Sequence, residues 1–111
     1  MLGGFESISR VDIQGSRNFF AKLKLARPAV PPPLRIADCG AGIGRISKNF
    51  LTKINPNVVV DIVEPVKKFT DEIELPENFV DEKAAGKIGT IFNVGLEAWV
   101  PEKGRYWLIW K

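Results

Sequence analysis

The sequence predicts an α/β fold built on a doubly wound parallel sheet, and three stretches carry that prediction. In Leu34–Cys39 apolar residues lead into an acid, then glycines at alternate positions and an amphipathic segment, the pattern of strand, tight turn and helix. Val58–Val63 is an almost unbroken β-branched run, as expected for a parallel strand covered on both faces. Tyr106-Trp107-Leu108-Ile109-Trp110 is apolar at every position and reads as another interior strand. Strands alternating with helical patterns point to parallel α/β units.

Taken in order, residues 1–11 carry Gly3, Gly4 and small polar residues and read as a loop. Asp12 caps a helix from Ile13, whose apolar face is Ile13, Phe19, Phe20 and Leu23, with Arg17, Lys22 and Lys24 toward solvent. Pro28, Pro31, Pro32 and Pro33 end it, because proline cannot donate to a helical ladder. That run reads as a stiff connector; the alternative is a ligand for a polyproline-reading domain, but no P-x-x-P frame carries a well-placed arginine. After the first strand, Ile43, Ile46, Phe50, Leu51 and Ile54 recur at helical spacing, and Asn55-Pro56-Asn57 breaks that helix. Glu64-Pro65 closes the second strand, and Val66, Phe69 and Ile73 mark a short helix. Residues 74–87 are polar and expected as loop, residues 88–94 as a third strand, and residues 106–110 as the fourth. In that fourth strand Tyr106, Leu108 and Trp110 are expected on one face, Trp107 and Ile109 on the other.

Only Lys111 follows the fourth strand. An apolar strand left as a bare edge templates association, so the chain is expected to stop in mid-fold and to self-associate through this strand. The alternative is a terminal lid formed by Trp107 and Trp110. Residues 1–33 are expected as an N-terminal loop, helix and connector, and residues 34–111 as a partial ligand-binding domain.

Composition narrows the function. The 111 residues are 45% hydrophobic and 26% charged, as in ordinary globular domains. A net charge of +3 arises from 16 basic and 13 acidic residues that are interspersed, with no basic stripe interleaved with aromatics, so nucleic-acid binding is not expected. Cys39 is the single cysteine, which rules out an internal disulfide and suits a reducing compartment. The absence of histidine removes Ser-His, Cys-His and histidine-metal chemistry from these residues. No apolar run approaches the ~20 residues of a membrane-spanning helix.

The glycines name a ligand class. Gly40, Gly42 and Gly44 let the backbone turn sharply and lie close to a bound molecule. A dinucleotide fingerprint would need glycine at position 45, where arginine stands. The form Asp38-x-Gly40-x-Gly42-x-Gly44-Arg45 resembles the first motif of class I S-adenosylmethionine-dependent methyltransferases. Leu2-Gly3-Gly4-Phe5, Ile8-Ser9, residues 38–45, residues 61–66, Gly95-Leu96 and residues 104–110 together resemble the alpha-N-terminal protein methyltransferases, closest to the fungal branch. The resemblance covers nearly all of this chain and about the first half of a family member.

The resemblance implies a Rossmann-like methyltransferase fold, truncated after its fourth strand, and S-adenosyl-L-methionine as cofactor. It implies methyl transfer to the α-amino group of protein N-termini beginning X-Pro-Lys or X-Pro-Arg. Gly40, Gly42 and Gly44 are then the loop against the cofactor. Arg45 matches the residue that holds the methionine carboxylate, a task suited to a planar guanidinium. Glu64 matches the acid that accepts both ribose hydroxyls, with Pro65 and Val66 as the adenosine-side wall. Leu96 matches the residue packed near adenine. Glu97 stands where glutamine is usual, keeping an acceptor for the adenine amine while losing the amide donor, and Ala98 replaces a usual acid. Asp38 orders the glycine loop or meets the methionine ammonium; read alone, as an acid ending a core strand, it is a general base. Leu2 and Ile8 match the apolar gate over the peptide channel, or pack locally. The family's proton-accepting residues lie past Trp110, so no catalytic residue is expected here. The location implied is cytoplasmic, and nuclear as well. A reading from a different class is a non-catalytic cofactor-binding or partner-binding module.

Overall fold

This computed structural model describes Ser7–Ile8 and residues 33–111. The strands are β1 (Ser7–Ile8), β2 (Leu34–Cys39), β3 (Val58–Val63), β4 (Ile88–Phe92) and β5 (Leu108–Trp110). Between them lie α1 (Arg45–Asn49), a 3-10 turn (Leu51–Lys53), α2 (Lys67–Glu74) and α3 (Val80–Ala84). The expected helix at 13 onward, its cap Asp12, the proline connector up to residue 32 and Leu2 lie outside the described residues.

All five strands pair in parallel, in the order β1-β5-β2-β3-β4. Ile36 sits between Val60 on one side and Leu108 on the other, and Asp38 between Ile62 and Trp110. Chain order runs outward from β2 through β3 to β4, then crosses back to place β5 on the other side of β2. The order therefore reverses at β2, and such a switch point leaves a crevice beyond the carboxyl ends of the strands.

Both faces of β2, β3 and β5 are covered, as their mainly apolar sequences require. The larger cluster joins Ile36, Val60, Ile62, Leu108 and Trp110 to Leu51, Ile54, Ile73 and Phe79, placing α1, the 3-10 turn, α2 and the start of α3 on one face. The opposite face gathers Ala37, Cys39, Val63, Tyr106 and Ile109, with Phe92, Val94 and Trp99 packed against them. Trp99 stands between Phe92 and Tyr106, its ring centroid 6.1 Å and 5.6 Å from theirs.

Five expectations are corrected. The segment at 1–11 is not all loop, since Ser7 and Ile8 pair with Ile109 and Trp110. The last strand is therefore no bare edge: its outer side is taken over those residues. Alternation in it begins only at Leu108, so Trp107 joins the cluster of Leu108 and Trp110, and Tyr106 joins Ile109. The helix after the glycines is broken at Phe50, whose φ of −131° is not helical, into α1 and a 3-10 turn. Residues 74–87 contain α3. Its signal was charge rather than apolar period: Asp81 and Glu82 lie in the first turn and Lys83 in the last, matching the helix dipole.

Candidate functional site

The loop after β2 is shaped by backbone conformation that only glycine adopts cheaply. Gly40, Gly42 and Gly44 have φ of 71°, 59° and 84°, all in the left-handed region. Their surroundings differ. Among the described residues, a Cβ on Gly40 or Gly42 would meet nothing within 4 Å. A Cβ on Gly44 would lie 2.6 Å from Cζ of Phe79, so this glycine admits a close packing partner. The Gly40 N–H donates to Val63 O at 2.7 Å, tying the loop to the end of β3.

Asp38, the last acid of β2, is fully buried. Its Oδ2 accepts from the Ser47 hydroxyl at 2.7 Å, which fastens the strand end to α1 across the loop. The bond ties the strand end to α1 beneath the glycine loop, and the carboxylate is buried.

Glu64 is also buried, at 5% exposure, although it ends a strand where an acid often points into water. Its Oε1 accepts from Gly42 N–H at 2.7 Å and its Oε2 from Val66 N–H at 2.8 Å. One carboxylate thus holds the loop after β2 and the loop after β3 together. Each oxygen keeps a second lone pair for a further donor. Asn93, just past β4, donates from Nδ2 to Glu64 O at 2.9 Å and to Pro65 O at 3.1 Å, securing the same corner.

At the carboxyl ends of β2, β3 and β4 lies a cavity of about 230 Å³, walled by Gly40, Val63, Pro65, Val94, Gly95, Leu96 and Glu97. Apolar walls from Val63, Pro65 and Leu96 suit a flat ring, and the Glu97 carboxylate at the rim suits a donor on that ring. Arg45 stands elsewhere. With Gly44, Lys48, Glu72, Asn78 and Phe79 it lines a second cleft of about 190 Å³ on the α1 side of the loop. Val66 is exposed and caps α2. Thus Gly40, Pro65, Leu96 and Glu97 share one cavity, Gly42, Glu64 and Val66 form its hydrogen-bonded corner, and Gly44 and Arg45 belong to the neighbouring cleft. Leu2 is outside the described residues, and Ile8 is placed only as a backbone position in β1.

A family model described as AdoMet-dependent proline di-methyltransferase matches residues 1–111, the whole chain. This chain belongs to that family. It is 43% identical to alpha N-terminal protein methyltransferase 1 of Schizosaccharomyces pombe, over 99% of this chain and 47% of that protein. It is 33% identical to N-terminal Xaa-Pro-Lys N-methyltransferase 1 of Xenopus tropicalis, with the same two coverages. Among solved structures, a SAM-dependent methyltransferase of Leishmania major aligns with a TM-score of 0.59 and 37% identity, over 89% of this chain and 35% of that one. The chain therefore spans about half the length, or less, of the relatives it matches.

Three residues of this family member were not anticipated as part of the site or its support. Asn93 shows only as a polar residue ending an apolar strand. Phe79 gives no local sign, because its left-handed φ of 55° is atypical of a bulky residue. Asp61 was read simply as part of a strand, yet it is a buried polar centre. Its Oδ1 accepts from Arg35 Nη1 at 3.3 Å and from Thr90 N–H at 2.9 Å. Its Oδ2 accepts from Arg105 Nε at 3.2 Å and from the Tyr106 hydroxyl at 2.7 Å. The register between β3 and β4 shifts here, which turns the Thr90 N–H toward the carboxylate, and Gly89 leaves room for it. Among the described residues no group of three or more His, Cys, Asp or Glu side chains is placed to hold a metal ion.

Proposed function

We propose that this family member binds S-adenosyl-L-methionine across the glycine loop and forms the cofactor half of an enzyme that methylates the α-amino group of X-Pro-Lys or X-Pro-Arg protein N-termini. One observation carries the reading. Gly40 and Gly42 are left-handed and uncrowded among the described residues, and Gly40 lines a cavity together with Pro65 and Leu96. A purine nucleoside fits that donor and wall chemistry, with ribose hydroxyls meeting the remaining lone pairs of Glu64 and the exocyclic amine meeting Glu97. A 2′-phosphate would be repelled by Glu64, which disfavours NADP. Arg45, in the adjoining cleft, has the planar fork that a carboxylate takes, and so marks the amino-acid end.

When bound, the sulfonium cofactor supplies an activated methyl group. These residues orient and bind; they do not move the amine's proton. A free α-amino group titrates near 7.7–8.0, so only modest basic assistance is needed, and we assign it to sequence outside the span matched in the relatives. The cytoplasm and nucleus, which are reducing, suit a chain whose single cysteine, Cys39, is buried.

Calorimetry with S-adenosylhomocysteine tests the reading. The chain should bind it, and Arg45→Ala and Glu64→Ala should each weaken binding by about 1–3 kcal/mol through loss of charge-assisted hydrogen bonds. Binding of NADH in preference to S-adenosylhomocysteine would sink the cofactor assignment.

A further inference from the structure

We infer that Phe79 is a positioning residue for the amino-acid end of the ligand, acting through Gly44 and Arg45; this rests on the cofactor reading above. Phe79 is the one non-glycine among the described residues with positive φ, at 55°. A bulky side chain held there is strained, and such strain persists only where the surroundings over-determine it. The surroundings do so here. Its ring is buried, and its Cζ edge stands where a Cβ of Gly44 would otherwise be. Ile73 of α2 closes the same spot, with its Cδ1 3.5 Å from that Cβ position. Behind Phe79, Lys83 Nζ donates to Ile73 O at 2.7 Å and Leu75 O at 2.9 Å, and Asn78 Nδ2 donates to Glu72 O at 2.7 Å. The turn between α2 and α3 is thereby closed and pushes the ring under the glycine loop.

The placement is one-sided. Phe79 lines the cleft with Gly44, Arg45 and Lys48, whose Nζ lies 5.9 Å from the ring centroid, but it takes no part in the cavity of Gly40, Pro65 and Leu96. Its ring thus sets the height of Gly44, and with it the start of α1 at Arg45, while leaving the opposite wall alone. The consequence is selectivity: Phe79 should matter for ligands bearing the amino-acid group and not for those lacking it.

The test compares S-adenosylhomocysteine with 5′-methylthioadenosine, which keeps the nucleoside and thioether but lacks the amino acid. In Phe79→Leu and Phe79→Met the affinity for S-adenosylhomocysteine should fall about tenfold while that for 5′-methylthioadenosine stays within about threefold. A merely structural role would weaken both ligands equally and leave their ratio unchanged, and that result overturns the proposal. A measurement on the unaltered chain needs no variant: amides at 78–80 should gain hydrogen-exchange protection with S-adenosylhomocysteine, together with 42–45, and not with 5′-methylthioadenosine. Protection of 42–45 alone overturns the role of Phe79 while sparing the cofactor reading. Failure of the unaltered chain to bind either ligand overturns the cofactor reading itself, and this proposal with it.

Discussion

Tyr106 shows how a single buried group makes stability depend on pH. Burial, and then the hydrogen bond its hydroxyl donates to Asp61, hold its phenol well above the ordinary tyrosine range. In the unfolded chain the phenol ionises near pH 10. The folded value is the higher one, so the contribution is complete below about pH 10 and is lost as pH rises from there, because the unfolded chain gives up the proton first. Tyr106→Phe should be less stable than the parent by about 1.5–3 kcal/mol at pH 8, the worth of a hydrogen bond to a charged group. That gap should narrow above pH 10 in denaturant titrations. Because Tyr106 is the only tyrosine, tyrosinate absorbance reports it alone and should stay silent until the chain unfolds. A tyrosinate signal at its ordinary pH in the folded chain would contradict the Asp61 bond.

At the scale of elements, the loops after β2 and β3 act as one unit because Glu64 accepts an N–H from each. Glutamine retains the shape but presents one oxygen and one NH2, so one of the two backbone N–H groups would face a donor. Glu64→Gln should therefore cost about 1–3 kcal/mol in denaturant unfolding, in addition to any loss of ligand binding. An unchanged midpoint would mean that the two loops are held without the carboxylate. Ser47 and Asp38 supply the other tie, from β2 to α1, so the glycine loop is pinned on both sides, while among the described residues nothing crowds Gly40 and Gly42. Backbone pinned by neighbours and free toward solvent is pre-organised to receive a ligand with little ordering cost.

The whole molecule is a parallel sheet whose crevice lies at the reversal of strand order, with the glycine loop at its lip. The relatives it matches are about twice its length, and under the proposed function it would carry the nucleoside side of their site. Assayed as these 111 residues alone with an X-Pro-Lys peptide and labelled S-adenosylmethionine, it should show background transfer even where cofactor binds. Alignment of amine and sulfonium is worth up to about 7–11 kcal/mol of a barrier, and no described residue is placed to supply it. Adding the remaining sequence of a close relative, fused or as a second fragment, should restore α-amino methylation. Robust turnover by the chain alone would instead locate an acceptor site among Asp38, Glu64 and Glu97.

What the sequence alone determined is local. Alternating glycines at 40, 42 and 44 permit a sharp turn, and the chain takes left-handed backbone at all three. The β-branched run at Val58–Val63 demands a strand covered on both faces, and it is one. The resemblance put Gly40, Pro65, Leu96 and Glu97 on the cofactor side, and these four line one cavity. Tertiary structure decided what depends on distant partners. Glu64 lies 22 positions from the Gly42 amide it accepts, and Tyr106 lies 45 positions from Asp61. Neither pairing is encoded in a period or a turn; each follows from which strands lie side by side and in what register. The same holds for Ser7 and Ile8 against β5, and for Phe79, whose strained backbone no local rule favours. Periodicity and turn chemistry are set by neighbours along the chain. The burial of a charge, the closing of an edge and the filling of a space left by a missing Cβ are set by neighbours across it.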